Sequence, residues 1–234
     1  LRDLGAMYRD GKTMAATELG EPQSYEQYVQ WSQSAEQLKK SRVDANYWTS
    51  VFQQPYQEFE LPSAHPRPAT KTYVAGHLVA FIDESLTSRL RDASRSQNCT
   101  LFSFLLSSFK IWIQRVTQQE DIVVGVPMAS QPTINSSKIS DGSLLVGHCV
   151  NMLPIRSQCP PTESFHEILE RLNKSVLDSL YHQNFTFGNL LGTLQIKRDT
   201  SRVPIISASF NLANANTCDF GQLSANVARP TKSF

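Results

Sequence analysis

The chain has 234 residues, 40% hydrophobic and 18% charged, with a net charge of +1. That composition fits a folded protein with a sizeable core and excludes a disordered chain, and so balanced a charge gives no field to draw nucleic acid or an anionic membrane. The longest apolar run is far short of a membrane span and no signal-peptide pattern opens the chain, so a cytoplasmic protein is expected.

Leu1 rather than methionine opens the sequence, which reads as a start inside a longer polypeptide. Leu1, Leu4, Met7 and Tyr8 share one helical face that ends near Gly11, and Gly20, Glu21 and Pro22 read as a loop. Ser24 and Gln27 form a capping-box pattern. Behind it Tyr28, Trp31, Ala35 and Leu38 make one apolar stripe, and Tyr47, Trp48, Val51 and Phe52 another, before Pro55 stops the helix. Leu61 to Thr70 carries Pro62, Pro66 and Pro68 and reads as an extended linker, the best boundary between two parts of the chain.

Thr72 to Phe81 reads as a strand. Leu86, Leu90 and Ala93 mark a helix, and Thr100 caps a longer one through Phe104, Leu105, Phe109, Trp112 and Val116. The longer one is apolar nearly all round, which predicts burial. Asp121 to Val126 is a strand ended by Pro127. Residues 129–143, rich in Ser, Asn and Gly, read as a mobile loop, and Val146 to Ile155 as a second strand. Ser164 and Glu167 open a helix carried by Ile168, Leu169, Leu172, Val176 and Leu180. Leu190, Leu191 and Leu194 suggest a short helix, and Ile205 to Leu212 a last strand. Alternating strands and helices predict a mixed α/β architecture.

The chemistry legible from residues alone is thin. Cys99, Cys149, Cys159 and Cys218 stand at no metal-ligand or CxxC spacing, so no metal is expected. Sequons at Asn98, Asn135, Asn173 and Asn184 are of the kind a Ser/Thr-rich chain produces by chance. No GxSxG, phosphate loop, HExxH or GxGxxG occurs, and Asp219-Phe220-Gly221 copies a kinase triplet without the rest of a kinase. His65, His77, His148, His166 and His182 head no HxxxD pattern.

Several segments, in order, resemble the later motifs of condensation domains from non-ribosomal peptide synthetases. Ser24-Tyr25-Glu26-Gln27-Tyr28-Val29-Gln30-Trp31 resembles Y-x-D-Y-A-x-W, with Tyr47-Trp48 following at the usual place. Leu61-Pro62 with Pro66-Arg67-Pro68 is similar to the family's proline linker, and Thr100-Leu101-Phe102 opens its long buried helix. Asp121-Ile122-Val123-Val124-Gly125-Val126-Pro127 resembles D-I-V-x-G-x-P, and the strand from Val146 through Gly147, Val150-Asn151 and Pro154 to Arg156 resembles G-x-x-V-N-x-x-P-x-R. His182-Gln183-Asn184-Phe185-Thr186-Phe187 resembles H-Q-D-x-P-F, and Arg198-Asp199-Thr200-Ser201-Arg202-Val203-Pro204 resembles R-D-x-S-R-x-P. Asn184, Thr186 and Gly188 depart from the usual Asp, Pro and acid. The spellings around Gly147 and Phe185 also resemble domains of hybrid polyketide–peptide assembly lines.

The resemblance implies the chloramphenicol-acetyltransferase-like two-lobed α/β fold, here incomplete. Residues 1–56 would be the tail of the N-terminal lobe and 57–234 most of the C-terminal lobe. The implied activity of the parent is amide-bond formation between a donor and an acceptor thioester. Donor and acceptor peptidyl carrier proteins and a neighbouring adenylation domain are the implied partners. Phosphopantetheine would sit on the carriers, and no cofactor would be bound directly. The family's HHxxxDG motif is expected upstream of Leu1, so no catalytic residue falls in this chain and the chain alone is expected to be inactive. Asn151, and after it His148, would line the substrate channel. An amide there can orient a thioester or a pantetheine amide, or simply bond nearby backbone. Arg156, Arg198, Asp199 and Arg202 read as structural, with an Arg–Asp pair pinning a loop against the sheet. His182-Gln183 ends a helix, where a histidine complements the dipole. The alternatives are an epimerisation or heterocyclisation relative, a coenzyme A-dependent acyltransferase of the same superfamily, and a non-catalytic carrier-docking domain.

Overall fold

The structure, a computed structural model, describes residues 24–63, 65–129, 145–196 and 199–213. The opening helix, the loop at Gly20, nearly all of the 129–143 loop, Arg198, Cys218 and the Asp219 triplet lie outside the described residues.

The first two helices are α1, Tyr25–Ser32, and α2, Ala35–Val51. A single long helix does not run through the stripe from Tyr28 to Leu38. Ser34 caps α2 by accepting from the backbone N–H of Gln37, a repeat of the Ser24 and Gln27 arrangement ten residues earlier, and Leu38 is left exposed. Next come α3, Glu84–Ser96, capped by Asp83, and α4, Leu101–Thr117, capped by Thr100.

Strands β1, Asp121–Ala129, and β2, Val150–Gln158, pair antiparallel with Gly125 opposite Pro154. Pro127 does not end β1. Gly125 gives its N–H to Ala208 O and takes the N–H of Phe210, so alternate residues of β1 turn that edge away from β2. Pro127, two residues on, faces the same edge and costs the β1–β2 ladder no donor. Residues 208–210 thus lie along β1 with one parallel bridge, Gly125 to Ser209, where a full strand was expected. The close approach requires glycine, because a Cβ at 125 would come within 2.8 Å of Ile206 Cγ2.

Two helices complete the described fold. Helix α5, Phe165–Tyr181, opens with the full Ser164/Glu167 capping box, and α6, Phe187–Leu194, is capped by Thr186. Thr72 to Phe81 forms no ladder strand among the described residues. Val74 makes an isolated bridge, and Leu78 and Phe81 are more than nine-tenths exposed. Strand propensity needs a paired neighbour to become a strand.

The core gathers under the sheet. Ile122, Val124, Leu153 and Ile155 from the strands meet Leu106 and Ile113 of α4 and Ile168, Leu172 and Val176 of α5. Trp48, Phe52 and Phe59 join the same cluster. Helix α4 is not buried all round as expected. Trp112 is 49% exposed, whereas Ser103, Ser107, Gln114 and a fully buried Lys110 point inward. A helix apolar all round leaves its inward face undetermined by hydrophobicity, and the sheet carbonyls above it select donors.

Candidate functional site

A cleft of about 630 Å³ opens between α1, α2, the start of β2 and the turn from α5 into α6. Helix α1 contributes Tyr28 and Trp31, α2 contributes Gln37, Leu38 and Ser41, and the turn contributes Gln183, Asn184 and Thr186. Helix α1 is a surface helix held down at its first turn. The Tyr25 ring lies over Gly147, where a Cβ would come within 2.3 Å of it, and the Tyr25 hydroxyl donates to His148 O at 3.5 Å. Strand β2 begins at Val150, four residues after the expected start. Burial pushes the Tyr28 phenol up, with Cys149 and Tyr25 adding to it, so this wall of the cleft is a neutral aromatic.

Asn151 lines the cleft and holds its far wall. Its Nδ2 donates to Gln183 O at 2.8 Å and Phe185 O at 3.0 Å, and its Oδ1 accepts from the backbone N–H of Phe187 at 3.0 Å. Both amide hydrogens are committed to backbone, and one Oδ1 lone pair remains. With these bonds the amide positions the turn between α5 and α6. Asn151→Ala is therefore expected to lower unfolding stability by about 1–3 kcal/mol, because two carbonyls and an N–H lose their partners. Denaturant titration checks it, and an unchanged midpoint would return Asn151 to a contact role.

His148 is exposed at the cleft mouth, and Gln183 lies on its wall, so the structure brings Asn151, His148 and Gln183 together. His182 is not on the cleft wall. Its Nδ1 lies 2.8 Å from Asp44 Oδ1, its ring stacks on Tyr47 at 4.3 Å, and its carbonyl accepts the Trp48 indole N–H at 2.9 Å. This side chain ties α5 to α2. Arg156 sits at the other end of β2, on Asp121 and the end of α2. Arg202 lies between Glu58, at 3.2 Å, Glu60, and Asp199, at 3.1 Å. Glu58 also takes the backbone N–H of Ile205, a buried β-branched residue held at φ 68°. The arginines are thus separate from the cleft.

The residues missed from sequence are the cleft's aromatic and amide walls: Tyr28, Trp31, Gln37 and Asn189. A polar i, i+4 pair, Gln37 and Ser41, set among Glu36, Lys39, Lys40 and Arg42 is the signal that was there to find. Among the described residues no cluster of His, Cys, Asp and Glu is placed to hold a metal, and no helix is long and apolar enough to cross a membrane.

A family model described as Condensation domain matches residues 1–231. The chain belongs to the condensation-domain family. Among curated proteins, this condensation-domain chain is 33% identical over 193 residues to surfactin synthase subunit 1 of Bacillus subtilis (strain 168), covering 82% of the chain and 5% of that protein. To tyrocidine synthase 3 of Brevibacillus parabrevis it is 30% identical over 193 residues, covering 82% of the chain and 3% of that protein. The chain thus spans a small fraction of the length of these relatives. Among solved structures, the condensation domain from the Monacolin K polyketide synthase MokA matches with a TM-score of 0.70 at 19% identity, covering 89% of this chain and 50% of that one. The X-domain from teicoplanin biosynthesis matches at 0.71 with 21% identity, over 89% of this chain and 46% of that one. These likenesses carry the fold: the mixed α/β arrangement around β1 and β2 is that of a condensation domain.

Proposed function

We propose that the chain is part of a condensation domain in a non-ribosomal peptide synthetase, and that the parent joins two carrier-bound thioesters through an amide bond. The observation that carries this reading is the family match across residues 1–231, whose relatives are peptide synthetases. The acceptor amine attacks the donor thioester carbonyl. The C–N bond forms, the C–S bond breaks, and the amine proton leaves with the carrier thiol. Such a step needs approach, a route for the proton, and support for the oxyanion. The 234 residues contain no HHxxxDG. What they supply is a wall: the cleft beside β2, with Asn151 holding the turn that shapes it. Donor and acceptor peptidyl carriers bring phosphopantetheine on their own chains, and an adenylation domain neighbours the parent.

The test uses loaded donor and acceptor carriers with two proteins, this chain and the chain joined to its native preceding segment. Amide product is expected from the joined protein and none from the chain alone. Product from the 234 residues alone overturns the role given to the missing motif. Carrier binding without product from the joined protein would make the domain a docking module, and epimerised or cyclised product would move it to those relatives.

A further inference from the structure

The described walls of the cleft hold no carboxylate, ammonium or guanidinium, and the one imidazole, His148, stands at its mouth. None of the residues lining it is Asp, Glu, Lys or Arg. Polar contact comes instead from the amides of Gln37, Asn184 and Asn189 and the hydroxyl of Ser41, beside the ring of Trp31. Charge is not scarce nearby. Helix α2 bears Glu36, Lys39, Lys40 and Arg42 within the same two turns, yet it turns Gln37, Leu38 and Ser41 to the cleft. Those positions share a helix face by their spacing of three and four, so the charges lie off the face that lines the cleft. On the opposite rim Asn184 is an uncharged amide, and Gly188 leaves room unused: a Cβ there would meet no atom within 4 Å.

We infer that this cleft seats an uncharged substrate side chain. The inference rests on the reading of the chain as part of a thioester-condensing domain, and it names the substrate class. A charged side chain entering the cleft gives up water and gains no counter-ion. An amide, hydroxyl or apolar side chain finds amide donors and acceptors together with an aromatic face. The amide walls are the part that fits a neutral polar group, since each offers both a donor and an acceptor whatever the pH.

Calorimetric titration of the 234-residue chain with N-acetylated aminoacyl thioesters of N-acetylcysteamine tests it. Acetylation leaves the side chain as the only charge. Glutaminyl and leucyl thioesters are expected to bind, and glutamyl and lysyl thioesters to bind about tenfold more weakly or worse. Gly188→Glu places a carboxylate at the rim, in the first turn of α6, where an acid favours the helix, so the variant is expected to fold, with its thermal midpoint as the check. In that variant the ratio of lysyl to glutaminyl binding is expected to rise by about tenfold, and Asn184→Asp should move it the same way. Equal binding of all four thioesters, with ratios unmoved in both variants, overturns the selectivity while leaving the cleft a thioester site. Failure of every thioester to bind the wild-type chain overturns the cleft as a substrate site altogether.

Discussion

Replacing Lys110 by alanine is expected to lower the unfolding free energy by about 3–5 kcal/mol, a large part of the roughly 5–15 kcal/mol typical of a domain. Lys110 is fully buried beneath the sheet. Its Nζ reaches Ile122 O of β1 at 3.1 Å, Ile155 O of β2 at 2.7 Å and Ser157 Oγ at 2.8 Å. One amine on α4 thus ties both strands. Burial pulls its ammonium down to about 7 from 10.5, against the Cys159 thiol and the Asp121 carboxylate, which hold it up. Both forms can satisfy the site. The ammonium donates three hydrogen bonds, and the neutral amine donates two and accepts the Ser157 hydroxyl hydrogen. The sign of the pH dependence follows. Between about 7 and 10.5 the unfolded chain keeps a proton that the folded chain has released, so stability rises with pH across that window, and the full deficit is present below 7. Lys110→Met keeps most of the stem's volume and removes the titrating group. Its stability gap from wild type is therefore expected to be wide at pH 9 and to narrow towards pH 6. Urea titrations at the two pH values check both statements. A gap that does not change with pH would mean Lys110 keeps one protonation state, and a neutral Lys110→Ala would deny the three-way tie.

Local signals were legible where the physics is local. Ser24, Thr100 and Ser164 were read as helix caps and each accepts from the N–H three residues on, because the cap bond needs nothing beyond its own turn. Ser34 obeyed the same rule and was hidden only because an apolar stripe ran across it. Long-range facts were not legible in the same way. Thr72 to Phe81 has strand composition, but a strand exists through its partner. The inward turn of Lys110 depends on carbonyls of β1 and β2, which periodicity in α4 cannot see. The cleft joins Trp31 to Asn151 and Asn184, segments far apart in sequence that each look ordinary alone. The family resemblance placed Asn151 beside a channel, whereas its committed hydrogen bonds appear only once β2 and the turn after α5 are set side by side. The resemblance supplied neighbourhood, and the structure supplied the bond.

Arg156→Ala is expected to release α2 from the sheet before the sheet itself fails. Arg156 grips Asp121 with two arms, Nε to Oδ1 at 3.0 Å and Nη2 to Oδ2 at 2.6 Å. The rest of the guanidinium donates to Val51 O at 2.9 Å, Gln54 O at 3.0 Å and Pro55 O at 3.2 Å, the carbonyls left open where α2 ends. It also lies over the rings of Phe52 and Tyr56. The side chain is 9% exposed and Asp121 27%, so removing the cation strands a partly buried carboxylate, at a cost of about 3–5 kcal/mol. The loss should be local first. Gln54 and Pro55 are exposed, so their carbonyls can rehydrate, while Trp48, Tyr47 and Asp44 still hold the middle of α2 against the end of α5. Hydrogen exchange should therefore speed up in residues 35–55 of the variant while β1 and α4 stay protected. Arg156→Lys keeps the charge but cannot reproduce the fork, so an intermediate loss of about 2 kcal/mol is expected. Uniform loss of protection across β1, β2 and α2 would show that this arginine supports the whole core rather than the joint, and an unchanged exchange pattern would show that Trp48 and His182 hold α2 without it.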